Sequence, residues 1–514
     1  MILTVCIVFS LALASRLAFF LLFPNDIPFD SYGHLFLYQE KRKQRSSFWL
    51  PIVTDRFGGP EISYSHPYLF HRLLAILPDK VVNRRYPLLN PIVDSLVAAG
   101  LYLGAAALLP IEYPVVASII YIFTPLFGSA KSIGPRACHF TPRLFGELCV
   151  NLYFVAVFGI VAGGFSWPLA LVATGSAYAT IASSKFSSQA LVMVSAVSAL
   201  LVQSFHPILF LVLGSVLALI HGRGEMVGMV AKHVQHLRSY YRKNLAGQTG
   251  ISHRNDWKRL SDSLLRFDLK QLCVEVMGDN TYFTLIARCP LVVLIIPTLH
   301  SWMLGSVTTI LDGVMAAWFC GGLFCFFFTS IRRFLFLGES ERYITHAAIP
   351  VVWLGSLLIG NSIWMVSSIL IYGLVFQLFE LFLWKRKRAR EPDDVQSLMA
   401  WLKSLKETHL IACFPVYAGG GWRILAESQH SWLYSVVWDD DSKVRAVPFQ
   451  GHNWSEWSFE KLDGLREEFN ISLAIADRRA VGNELGLISK CRGWKEVDLG
   501  SRNLVVFLAD SEGA

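Results

Sequence analysis

Apolar residues are gathered into long runs broken by short polar stretches. Residues 1–23 are apolar except for Arg16, and further runs cover about 88–110, 113–128, 144–163, 167–182, 187–201 and 203–220. After a polar segment at 221–284 come four more, near 285–303, 307–330, 345–360 and 362–384. Several approach the roughly 20 apolar residues that a helix needs to cross a bilayer core. LALAS at 11–15 looks like the end of a signal peptide, but no basic region precedes it and the run continues to Phe23, so it reads as an uncleaved first span. Residues 66–82 are apolar but short, with His71, Arg72 and Pro78 inside them. An amphipathic helix in the headgroup zone is the favoured reading there. The count is thus 11 to 12 spans, depending on that segment.

Beyond residue 390 the pattern changes. HLIACFPV (409–416), ISLAIADRR (471–479) and LVVFLA (504–509) read as buried strands, with helix-like stretches such as 456–469 between them. The expected fold is a polytopic α-helical membrane domain over 1–390 and a small soluble α/β domain over 391–514. Gly419-Gly420-Gly421 is no phosphate-binding loop motif, and a plain turn is the favoured reading.

Composition agrees. Of 514 residues, 54% are hydrophobic and 16% charged, against about 25% charged in soluble domains; mean hydropathy is +0.45. The net charge of +8 has its ordinary membrane-protein cause in Lys and Arg of cytoplasmic loops, so no nucleic-acid partner is called for. Lys385–Arg390 carries five positive charges directly after the last span, which places that end and the C-terminal domain in the cytoplasm. The 221–284 segment, with ten basic and six acidic residues, reads as a basic loop on the same side. The 24–87 region, neutral over 24–65, reads as the first external loop. Nine cysteines without a C-x-x-C pair read as buried thiols rather than a disulfide framework or zinc site.

The chemistry-bearing stretch is Pro28-Phe29-Asp30-Ser31-Tyr32-Gly33-His34, a carboxylate and an imidazole four residues apart just past a span. On a helix they share a face; the plain alternative is that Asp30 caps an interfacial helix. Lys131, Arg136 and Arg143 lie in a loop segment without acidic residues. Their guanidinium and ammonium groups suit phosphate oxygens, or simply obey the positive-inside rule. Arg16 is costly within a span unless it faces a partner or water. Lys185 and Arg342 sit at span ends, where they serve as anchors or as ligands.

An Arg-bearing first span, a proline-bearing turn, F-D-S-x-G-H-L and a later S-Y-x-H-P-x-L-F-H (Ser63–His71) follow in an order that resembles the GT-C superfamily of integral-membrane glycosyltransferases. This broad group includes protein mannosyltransferases and lipid A aminoarabinose transferases. Ala182-Ser183-Ser184-Lys185-Phe186-Ser187 and Glu341-Arg342-Tyr343 followed by Pro350 are similar to later junctions of that group. The resemblance covers about 1–385. It implies a sugar donor linked to a polyprenyl phosphate and a glycan, lipid or protein acceptor of the cell envelope. It also implies an acid in the first external loop, acting as general base or metal ligand, and residence in the plasma or inner membrane. Carried over, the acid is Asp30; Arg136, Arg143, Lys131, Arg16 and Lys185 would meet phosphate, with His34, His66 and Arg342 as secondary contacts. The one cofactor left room for is a divalent cation (Mg or Mn), with no ligand set assigned, because position 32, where relatives place a second acid, is Tyr. The rival readings are a twelve-span transporter, although 1–220 and 285–384 show no repeat, and an envelope-polymer ligase or polymerase, although the late loops are short.

Overall fold

A computed structural model describes residues 1–22, 29–44, 52–56, 62–64, 67–110, 113–128, 140–222, 225–245, 254–303, 309–360, 362–388, 394–414, 420–433, 466–467, 469–478, 493–501 and 503–509. The first half runs α1 (Ile2–Leu22), α2 (Phe29–Lys43), a two-stranded ribbon of β1 (Ile52–Thr54) and β2 (Ile62–Tyr64), α3 (Leu69–Ile76), α4 (Asp79–Leu108), α5 (Tyr113–Phe123), α6 (Pro125–Gly128), α7 (Pro142–Gly163), α8 (Trp167–Ile181), α9 (Lys185–Leu201) and α10 (His206–His221). The polar segment folds into α11 (Glu225–Leu245), α12 (Trp257–Leu265), α13 (Leu269–Val274) and α14 (Thr281–Arg288). Then follow α15 (Leu291–Met303), α16 (Ile310–Ser330), α17 (Glu341–Thr345), α18 (Ala348–Ile359) and α19 (Ile363–Arg388).

Among the described residues, the apolar runs before residue 390 are mostly helical. Four helices there (α4, α7, α16 and α19) are by themselves long and apolar enough to cross a membrane, and α10 with α11 would add a fifth as a pair bent by 119°. Apart from α1, which has 21 residues, the remaining runs form shorter helices, which departs from the 11 to 12 spans expected. Pro and Gly at the junctions interrupt the ladder: Pro114 and Pro125 bracket one run, and Pro290 separates α14 from α15. Residues 67–82 divide at Pro78 into the short α3 and the start of α4.

Small residues let these helices close on one another. A Cβ on Gly373 of α19 would lie 2.1 Å from the carbonyl oxygen of Phe123 in α5, and one on Gly214 of α10 would lie 2.4 Å from Cβ of Ala177 in α8. Charge inside the bundle is paired. Arg16 Nε meets Asp94 Oδ2 at 2.7 Å, both side chains at 0% exposure, and Arg288 meets Glu380 at 3.4 Å.

The C-terminal region contains α20 (Asp394–Ser404), β3 (Leu410–Phe414), α21 (Gly421–Glu427), β4 (Ser431–Trp432), β5 (Leu473–Asp477), β6 (Trp494–Val497) and β7 (Leu504–Ala509). The sheet order is β4-β3-β5-β7-β6. β3 runs parallel to β4 and β5, and β7 runs antiparallel to β5 and β6. The three apolar runs of the sequence are β3, β5 and β7, and Gly420 makes a left-handed turn into α21 at φ 72°. The helix-like stretch 456–469 lies almost entirely outside the described residues.

The C-terminal region is joined to the first loop: Tyr32, Phe36 and Leu37 of α2 share a hydrophobic core with Leu398, Trp422 and Trp432. Charges of the polar segment are spent locally: Arg254 pairs with Glu341 at 3.0 Å, and Arg259 with Glu275 at 2.9 Å and Asp279 at 3.3 Å.

Candidate active site

Asp30 stands in the first turn of α2, where a carboxylate is favoured by the positive end of the helix dipole. The turn is fixed to the next element by the Phe140 backbone amide, which donates to the Ser31 hydroxyl at 2.9 Å. That contact brings the start of α7 alongside. Pro142 opens α7 without an amide to satisfy, and the next residue, Arg143, reaches back so that Nη2 lies 3.6 Å from Asp30 Oδ2. Asp30 is 56% exposed and Arg143 29%. The carboxylate is open to a ligand, and its cation is half-sheltered beside it.

Behind this pair is a charged cluster. Arg143 lies within electrostatic reach of Arg342, Asp30, Glu339 and Glu147. Arg342 and Glu339 form an ion pair. Arg254 bonds both oxygens of Glu341, at 3.0 and 3.3 Å, and comes within 3.9 Å of Glu339. Burial raises the affinity of Glu339 for a proton, but Arg342, Arg254, Arg143 and Arg288 outweigh it and hold the carboxyl below its ordinary range. Glu341 goes the other way: burial leads, the neighbouring Glu339 adds to it, and Arg254 compensates only in part.

The junctions singled out in the sequence meet here. Gly146 of α7 faces α9 so closely that a Cβ would lie 2.4 Å from Ser187 Oγ; only glycine lets the first turns of α7 approach. Ser184 caps α9, its hydroxyl accepting from the Ser187 amide at 3.3 Å. The His346 ring sits between two partners, with Nδ1 3.1 Å from the Arg342 carbonyl oxygen and Nε2 3.1 Å from Ser187 Oγ. A carbonyl can only accept, so Nδ1 carries the proton and Nε2 accepts from the serine. Thr345 donates to Glu147 at 2.9 Å, and Tyr343 donates to Gln189 at 3.1 Å. The S-S-K-F-S and E-R-Y stretches thus form one wall behind Asp30 and Arg143.

Of the residues the sequence put forward, Asp30, Arg143 and Arg342 are brought together. Arg16 is not: it is enclosed by Asp94 and by the carbonyl oxygens of Ile122 at 2.9 Å and Tyr121 at 3.4 Å. Its phosphate-binding role is replaced by a structural one. His34 stacks on His71, with 3.1 Å between ring nitrogens. Lys185 opens α9, and its charge acts on His233 of α11. His66, Lys131 and Arg136 lie outside the described residues. Sequence reasoning passed over Glu339, Arg254 and His346. G-E-S-E at 338–341, acidic and isolated between apolar runs, was the available signal for Glu339; Arg254 had none.

Among the described residues, no group of three or more His, Cys, Asp or Glu side chains could hold a metal ion. Glu339 and Glu341 are engaged by arginines and Glu147 by Thr345, so these residues do not fit a divalent-cation cage.

No family model and no curated protein matches the chain. Solved structures do. The oligosaccharyltransferase of Archaeoglobus fulgidus, tethered to an acceptor peptide containing the NVT sequon, superposes with a TM-score of 0.56 at 9% identity, over 97% of this chain and 73% of that one. Its apo form gives 0.57 at 10% identity, over 94% and 70%. The same archaeal enzyme, AglB, in complex with an inhibitory peptide and a dolichol-phosphate gives 0.53 at 10%, over 99% and 74%. At such identities the likeness is one of fold. The chain has the fold of that archaeal membrane enzyme, with helices long and apolar enough to cross a membrane.

Proposed function

We propose that this protein is a membrane glycosyltransferase that moves a sugar from a polyprenyl-phosphate-linked donor to a glycan, lipid or protein acceptor. The observation that carries the reading is the exposed Asp30 carboxylate beside Arg143, with Arg342 in reach, at the mouth of a GT-C bundle. The archaeal structures that share the fold hold an acceptor peptide or a dolichol-phosphate, which supports a lipid-linked donor and favours a protein among the acceptor classes.

The chemistry follows from the charges. An acceptor hydroxyl or amide needs a proton acceptor as it attacks the anomeric carbon, and Asp30 is positioned for that task. The departing lipid phosphate gains negative charge, which the Arg143 fork can take up with Arg342 behind it. At 3.6 Å the Asp30–Arg143 pair is loose, so phosphate can draw Arg143 away without breaking a tight bond. Attack opposite the phosphate inverts the anomeric configuration.

The test is release of polyprenyl phosphate from a labelled lipid-linked sugar by purified protein, which a transporter would not catalyse. Asp30→Asn keeps the shape and removes the base, so kcat should fall by roughly 10²–10⁴ with folding intact. Transfer at the wild-type rate by that variant would remove Asp30 from the chemistry.

A further inference from the structure

We infer that the C-terminal α/β unit is the platform that positions Asp30, with Trp422 as the positioning residue; this rests on the reading of Asp30 given above. α2 is a 15-residue helix, a length that is marginal in water without tertiary support. Its orientation is therefore set by what it packs against. One face carries Asp30 and His34 toward α7 and α3, through Arg143 and His71. Tyr32 and Phe36, roughly opposite them around the helix, and Leu37, one turn past His34, are buried in the core of the C-terminal unit with Leu398, Trp422, Leu425 and Trp432.

The closest approach is at Gly33. A Cβ there would lie 3.0, 3.2 and 3.3 Å from three atoms of the Trp422 ring, so the indole lies flush against the backbone of α2 one turn past Asp30. Phe36 flanks the same indole at 6.3 Å between ring centres. Two cations brace the contact. The Arg423 guanidinium stands 5.4 Å from the centre of the Tyr32 ring. Arg56, just beyond β1, donates to the carbonyl oxygens of Leu425 and Ser428, both at 2.8 Å, and to that of His430; it thereby satisfies groups that end α21. Its own carbonyl oxygen accepts from the Trp432 amide at 3.0 Å. The first loop and the C-terminal unit are joined from both sides, and Asp30 stands at the joined end of α2. Because about 1 Å of misplacement can cost 10²-fold in rate, a surface that sets α2 sets the reaction.

The experiment uses the full chain. Trp422→Ala should lower kcat roughly ten- to hundredfold while donor KM stays near wild type, since the arginines are untouched, and Trp422→Phe should recover most of the loss. Gly33→Ala, a small change on the other side of the contact, should act in the same direction and stands in should Trp422→Ala fail to fold. Spin labels at Lys43 on α2 and Leu152 on α7 report the position of the helix without reference to activity; their distance distribution should broaden or shift in both variants. Folded variants with wild-type kcat and an unchanged distribution would overturn the positioning role. Full transfer by Asp30→Asn would instead overturn the reading of Asp30 itself, an outcome the distance measurement tells apart.

Discussion

Replacing Asp94 by Ala tests whether Arg16 is a ligand-binding residue or a buried strut. The substitution removes the acceptor of Arg16 Nε at 2.7 Å and of the Tyr121 hydroxyl at 2.5 Å. The guanidinium is left with carbonyl oxygens and the Ser15 hydroxyl at 3.2 Å, dipoles that do not neutralise a charge at 0% exposure. Breaking a buried pair from one side costs about 3–5 kcal/mol, and loss of the hydrogen bond from Tyr121 adds about 1 kcal/mol. Replacing both partners, Arg16→Met with Asp94→Leu, removes both charges at similar volume and should return stability to within about 1 kcal/mol of wild type. Equilibrium unfolding in mixed micelles, followed by tryptophan fluorescence, gives the coupling energy of the cycle. The double variant should also keep the donor KM. An Asp94→Ala loss below about 1 kcal/mol would refute the strut; a stable double variant with failed donor binding would return Arg16 to the phosphate.

Two further outcomes follow from burial. Desolvation pushes the His71 imidazole down to about 3, offset only in part by a hydrogen bond with the Pro67 backbone, so the folded chain stays neutral there while an unfolded chain takes up a proton below about pH 6.5. Stability should be full above that pH and fall as pH drops toward 3, by about 2 kcal/mol between pH 6.5 and 5; unfolding midpoints at the two values check it, and His71→Gln should flatten the slope. Gly373→Ala forces a Cβ to within 2.1 Å of the Phe123 carbonyl oxygen, where backbone cannot yield. It should cost about 2 kcal/mol or more despite gaining about 1 kcal/mol of helix propensity. Gly104→Ala, which meets nothing within 4 Å, should be neutral or stabilising in the same thermal assay.

Local pattern carried much of this architecture. Apolar runs of near-bilayer length became helices, and three short apolar runs became β3, β5 and β7. Both outcomes are dictated by the demand that backbone groups be bonded and apolar surface be covered. Asp30 was put forward because the order of motifs around it resembles a known family; by spacing alone it could equally cap a helix. Its neighbours were less legible: Arg143 stood in a basic segment that the positive-inside rule explains as well, and Arg342 could be an anchor.

Tertiary structure decided what spacing cannot encode. Arg16 looked like a phosphate ligand because a charge in a span demands a partner; that Asp94, 78 residues away, is the partner follows only from the packing of α1 on α4. Arg254 joined Glu339 and Glu341 through contacts between segments far apart in sequence, whereas Glu339 and Arg342 pair only three residues apart. A count of cations likewise does not reveal which are neutralised by ion pairs, as Arg254 is by Glu341. One chain determines locally what each segment must bury or bond; which distant segments satisfy that need together is settled only when the whole chain closes on itself.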